Sequence, residues 1–242
     1  MIRAVGTSLG ILILTIFLLL SIFTYCLVKF TEFDNLNSIF SKILVSKIVS
    51  EDKINQTYNN LLSACENKES TELSLGNKTI SLKCDDIRNS SPENVLAIIG
   101  KPLLYDVYYK KYDCNFIECL NEPGEEKFLI LISQKANDFF KFLQCIFLTL
   151  AGIGLALILI SVKDPENKLK TLGITLLSIG IPILILIFIK DYFISLPTEL
   201  ESLGEVIFDI SFISFLIVTL IGLILTIVGC VLKLKPAKTR KK

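Results

Sequence analysis

The chain has 242 residues, 52% of them hydrophobic, and a mean hydropathy of +0.61. Its 25 Lys/Arg stand against 24 Asp/Glu, so no basic excess points to nucleic acid as a partner. It has no His, which excludes imidazole general bases and mixed Cys/His metal sites.

The apolar residues are clustered. A membrane-crossing helix needs about 20 mostly apolar residues, because each adds ~1.5 Å against a hydrocarbon core of ~30 Å. Four segments meet that length without an internal charge: 6–28, 142–162, 171–189 and 210–232. The first follows Arg3, as a signal peptide would. Its apolar run is longer than the usual 7–15 residues of a cleaved signal, and no small-x-small site follows it. An uncleaved anchor is expected. In the second span, Gly152-x3-Ala156 has the spacing of a close helix contact.

Between the first two spans, 31–136 is long enough for one small domain. Leu36, Ile39, Phe40, Ile43 and Leu44 form a helical stripe. Ser50 is the expected cap of a second helix that continues through Ile54, Tyr58, Leu61 and Cys65. Residues 73–82 alternate apolar and polar around Gly76-Asn77, which predicts a hairpin. Pro92 opens a short helix and Gly100 closes it. Leu103–Tyr112, rich in Tyr and Val, and Phe128–Ile132 are predicted strands. A turn is expected at 121–125, and Ser133 caps a helix that runs into the second span. The predicted fold is an all-α four-helix transmembrane bundle, with a small α+β extracytoplasmic domain between its first and second spans.

Cys26, Cys145 and Cys230 lie in or near spans, where a thiol packs as a small hydrophobe. Cys65, Cys84, Cys114 and Cys119 all fall within 31–136, an even set that predicts two disulfides. Three pairings are possible; Cys65–Cys84 and Cys114–Cys119 are expected, because a hairpin over 73–82 brings the first two together and the other two are near neighbours in sequence. Their spacing suits neither a structural zinc site nor a C-x-x-C redox motif. Tyr108 and Tyr109 are the candidate partner surface within the Tyr-rich stretch.

Orientation follows Lys and Arg near the span ends. The tail 233–242 carries Lys233, Lys235, Lys238, Arg240, Lys241 and Lys242 and no acid, so both termini are expected in the cytoplasm. The same six cations are expected to meet anionic lipid headgroups, at about 1 kcal/mol each. Segment 31–136 has 12 Lys/Arg against 16 Asp/Glu, and the loop expected at 190–209 has one against five. Asn55, Asn77 and Asn89 head three N-x-S/T triplets, candidate glycosylation sites on the exterior face.

The layout of four spans with a large first exterior segment resembles claudin-like tetraspan proteins, although their Trp-containing loop motif has no counterpart in a chain without Trp. It also resembles the permease subunits of extended-loop exporters driven by an ATPase. Those carry a cytoplasmic segment before the first span, where this chain has five residues. Neither resemblance assigns a role to any residue. No ionisable group lies within a span, where transporters and proton pumps usually place one.

The expected function is therefore non-enzymatic, without a cofactor. It is that of a multi-pass cell-membrane protein that binds a protein partner through its exterior domain and touches membrane lipids. The alternatives are a subunit of a transport complex, or a thiol oxidoreductase acting through Cys114 and Cys119.

Overall fold

The computed structural model describes residues 2–48, 51–75, 78–121, 127–193 and 198–234. Within them the order is α1 (Ile2–Phe30), α2 (Phe33–Ile48), α3 (Glu51–Ala64), β1 (Ser70–Leu75), β2 (Lys78–Lys83) and α4 (Cys84–Arg88). There follow α5 (Pro92–Tyr108), α6 (Phe116–Asn121), α7 (Lys127–Leu131), α8 (Gln134–Ser161), α9 (Pro165–Phe193) and α10 (Thr198–Leu234). The chain is mostly helical, and four helices are long and apolar enough to cross a membrane: Arg3–Phe30, Gln134–Ser161, Pro165–Ile185 and Ser211–Lys233. That is consistent with a multi-pass membrane protein. Two compact units form, one of Met1–Val28, Phe140–Ser195 and Glu205–Lys242, the other of Lys29–Phe139 and Leu196–Gly204.

The first unit holds most of the four long apolar helices. Leu14, Ala151, Ile158 and Leu172 make one buried cluster across α1, α8 and α9, with Leu225 of α10 packed against it. Ile22, Cys26, Ile179 and Phe215 make a second. Helix pairs approach at glycines. A Cβ on Gly154 would sit 2.6 Å from the Leu14 nitrogen and 3.0 Å from the Gly10 carbonyl oxygen, so α1 and α8 touch backbone to backbone. At Gly222 a Cβ would lie 2.9 Å from Leu176 and 3.0 Å from the Gly173 oxygen, which repeats the arrangement between α9 and α10. Such crossings suit apolar surroundings, where tight van der Waals contact is a main source of helix association. Buried hydroxyls are satisfied locally: Thr24 donates to Leu20 O at 2.9 Å and Thr175 to Thr171 O at 2.8 Å. The turn between α8 and α9 is short, because Asp164 accepts the Lys168 backbone N–H at 3.0 Å through its carbonyl and the Asn167 side-chain amide at 3.0 Å through its carboxylate.

In the second unit, β1 and β2 pair antiparallel, with Thr71 opposite Leu82 and Leu73 opposite Ile80. Ile80 and Leu82 turn inward onto Leu61, Cys65, Cys84, Ile87 and Ile99, so one face of the hairpin closes a core against α3, α4 and α5. A second cluster joins α2 to α5 through Leu36, Leu104 and Tyr108. Asn137 donates to the Thr31 hydroxyl at 3.0 Å, both residues being buried.

Several expectations are corrected. Leu103–Tyr112 is not a strand: α5 continues past Gly100 to Tyr108, with Pro102 inside it. The β-preference of Tyr and Val is overridden by packing of Leu104 and Tyr108, one helical turn apart, onto α2. Phe128–Ile132 is not a strand either, since Lys127–Leu131 is one short helix. A five-residue apolar run carries no periodicity that separates the two states. Gly152 faces outward with nothing within 4 Å, so Gly154, not Gly152-x3-Ala156, makes the helix contact. The stretch 190–209, read as a loop, is helical up to Phe193 and from Thr198. The expected Ser50 cap, the Gly76-Asn77 turn and most of the 121–125 turn lie outside the described residues. So does the tail 235–242, with Lys235, Lys238, Arg240, Lys241 and Lys242.

The two glycines of α8 give a paired prediction. Gly154→Val should destabilise the protein in detergent by about 1–3 kcal/mol through overpacking. Gly152→Val, which adds the same side chain in open space, should change stability by less than about 0.5 kcal/mol. Denaturant unfolding of both variants checks this, and equal losses would contradict the crossing.

Candidate interaction surface

The two cysteine pairs set the frame of the second unit. Cys65 and Cys84 have Cα atoms 5.4 Å apart, and Cys114 and Cys119 5.5 Å, both within disulfide range. The first pair ties the end of α3 to the junction of β2 and α4, and both its residues are fully buried. Arg88 reinforces the tie: its guanidinium donates to the Cys65 carbonyl and, at 3.3 Å, to that of Lys68, and pairs with Asp85 at 3.3 Å. Tyr58 closes the other side by donating to Ser90 O at 2.9 Å. The second pair is held by Lys135, which donates to Tyr112 O at 2.8 Å and to Cys114 O.

These ties position an open groove of about 710 Å³ between β2, the end of α4 and the outer face of α5. Helical spacing builds one wall: Ile98, Lys101, Pro102, Tyr105 and Asp106 recur at three- and four-residue steps along α5. Ser81, Leu82 and Lys83 form the facing wall, with Asp86 and Asn89 beyond it. The groove thus combines apolar surface at Ile98 and Pro102 with charges of both signs. Pro102 has no N–H to offer the Ile98 carbonyl, so a backbone acceptor loses its intrahelical partner along this wall.

Beside the groove lies an aromatic cluster. Tyr105 and Tyr109 have ring centroids 4.4 Å apart, Tyr108 and Tyr109 4.9 Å, and Phe33 contacts Tyr108 at 5.3 Å. The structure separates the two tyrosines that the sequence joins. Tyr108 is 5% exposed and belongs to the core, a correction to its expected place on a partner surface. Tyr109 is 42% exposed and Tyr105 53%, so the available aromatic face is Tyr105 with Tyr109. Burial first, then the nearby charges of Tyr109, Asp138, Glu32 and Asp34, push the Tyr108 phenol up to about 12.

The other candidate residues are dispersed. Asn55 is exposed on α3, and Asn89 is exposed at the end of α4, where it lines the groove. Asn77 lies outside the described residues. Lys233 is exposed in the last turn of α10. Sequence reasoning missed Tyr105, Lys101, Ser81 and Lys83 as one surface. Their only signals were the four-residue step from Lys101 to Tyr105 and the two-residue step from Ser81 to Lys83. In comparisons with known proteins, no family model, curated protein or solved structure matches the chain.

The Tyr108 phenol has a pH signature. Its ordinary value is 10 and its folded value about 12, so the folded state holds the proton more tightly. Its contribution to stability should be intact below about pH 10 and lost as pH rises towards about 12. Tyr108→Phe should therefore lose less stability across that interval than the native chain. Denaturant unfolding at the two ends of the interval checks this, and parallel losses in both proteins would contradict it.

Proposed function

We propose that this chain is a membrane-anchored, non-enzymatic interaction protein that recognises a protein partner through the unit built from 29–139. In this reading the four apolar helices anchor the chain in the cell membrane and that unit lies outside the cytoplasm, with both termini inside. The observation that carries the reading is the groove between β2 and α5 with the exposed pair Tyr105 and Tyr109 beside it. Aromatic residues at a rigid surface are the usual anchors of protein contacts, because they bury much area while losing little rotamer freedom. The buried Cys65–Cys84 pair reduces the ordering that binding would otherwise require.

Topology rests on the basic tail. In this reading Lys233 and the five cations that follow it in the sequence mark the cytoplasmic side and would meet anionic headgroups. Asn55 and Asn89 are exposed, as glycan acceptors on an exterior surface would have to be. An oligosaccharide on Asn89 would border the groove.

Two measurements test the proposal. Glu72→Cys, at an exposed strand position, should react with an impermeant maleimide added outside intact cells; labelling only after permeabilisation would reverse the topology. A photo-reactive amino acid at position 109 should cross-link to a discrete protein in cells, whereas one at exposed Ile153 of α8 should not. Identical cross-links from both positions, or none from 109, would remove the interaction reading.

A further inference from the structure

We propose that the Cys114–Cys119 bridge, with Lys135 beside it, is a site of reversible thiol–disulfide exchange, opened by a small external dithiol while Cys65–Cys84 stays closed. The inference goes beyond the interaction reading and does not depend on it. The pair is acted on by exchange and does not catalyse it, so it has no need of a C-x-x-C spacing.

The two bridges differ in access and in what depends on them. Cys65 and Cys84 are each 0% exposed, beneath Leu61, Ile80, Leu82, Ile87 and Ile99. A reagent reaches that bridge only when the core opens. Cys119 is 7% exposed and Cys114 more so, on the stretch that joins α5 to α6. Exchange requires an outside thiolate to reach a sulfur, and access directs it to Cys114. The second bridge also spans five residues against 19, and a shorter closure takes less freedom from the unfolded chain. Other contacts hold the same stretch. Asn115 donates to Glu118 through its backbone N–H at 2.9 Å and through its side-chain amide at 3.2 Å. Phe116 is buried and stacks on Phe139, with ring centroids 4.6 Å apart. These contacts do not pass through the sulfurs, so α6 keeps its place when the bridge opens.

The surroundings also set the direction of the exchange. Lys135 donates to the Cys114 carbonyl oxygen, and Cys119 Sγ lies 3.6 Å from that same oxygen. A cation at this place favours negative charge on Cys119 as it leaves. One thiolate of the dithiol attacks Cys114 Sγ and forms a mixed disulfide. The Cys114–Cys119 bond breaks, and its electron pair leaves on Cys119 Sγ, which takes a proton from water. The second thiolate of the dithiol then attacks the first sulfur and releases Cys114, which is protonated in turn. The dithiol departs as a cyclic disulfide, having given two electrons and two protons. Attack of the Cys114 and Cys119 thiolates on an external disulfide runs the same steps backwards.

The test uses the full-length protein in lipid nanodiscs, with dithiothreitol as the dithiol. Thiols free at the outset, such as Cys145, are first blocked with N-ethylmaleimide. Samples drawn during reduction are trapped with isotopically heavy N-ethylmaleimide and mapped by mass spectrometry. Cys114 and Cys119 should take up the heavy label together, at least about tenfold faster than Cys65 and Cys84. Oxidised glutathione should close the pair again once dithiothreitol is removed. Lys135→Gln should slow the opening about threefold, and Lys135→Arg should restore the native rate. If Lys135 served only to clamp the stretch, its loss would speed the opening instead. Four results would overturn the proposal: label on Cys65 and Cys84 at the same rate, Cys114 and Cys119 already blocked before reduction, no opening without denaturant, or an unchanged or faster opening in Lys135→Gln.

Discussion

The covalent tie between Cys65 and Cys84 decides the geometry of the second unit. It joins the end of α3 to the point where β2 becomes α4, and it is buried under the hairpin with Ile80 and Leu82. A closure spanning 19 residues removes about 3 kcal/mol worth of freedom from the unfolded chain in the loop-entropy account. Arg88 adds two carbonyl contacts at the same place, so the base of β2 is held by both covalent and polar links. The wall formed by β2 is fixed at its Lys83 end for that reason. The opposite wall is fixed by Ile99 and Leu104, which press α5 into two separate clusters.

A different physics governs the first unit. Its helices are apolar on their exposed sides, with Leu12, Phe23, Ile160 and Ile224 all more than half exposed. Hydrophobic burial of the ordinary kind cannot drive helices together where the surroundings are equally apolar. Close backbone approach at Gly10 with Gly154, and at Gly173 with Gly222, supplies contact area that larger side chains would prevent. The Cys26 thiol and the Ser211 hydroxyl meet at 3.3 Å and add a polar contact between α1 and α10.

Features that depend on neighbouring residues were legible in the sequence. The four long apolar helices follow from hydropathy and length alone. The hairpin follows from alternation around 76–77, and the cysteine pairs follow from the hairpin and from a separation of five residues. What failed was the choice between states wherever tertiary contact decides. Tyr105, Val107 and Tyr108 favour a strand by intrinsic preference, yet α2 offers Leu36 as a partner for a helical face. Gly152 and Gly154 are equivalent by composition, and only the approach of α1 distinguishes them. The groove was invisible because 81–89 and 98–106 meet through the fold, and neither half has a motif of its own.

The aromatic cluster also makes this protein unusual to look at with light. The chain has seven Tyr and no Trp, so its intrinsic emission comes from tyrosine without an indole to collect the excitation. Three of the seven lie in one cluster, with Tyr109 within 5 Å of both Tyr105 and Tyr108. At such separations excitation passes readily between phenol rings, and the ring transitions couple in a fixed chiral arrangement. Near-ultraviolet circular dichroism and tyrosine depolarisation should therefore carry a contribution from the junction of α2 and α5. The wall of the groove carries its own optical probe.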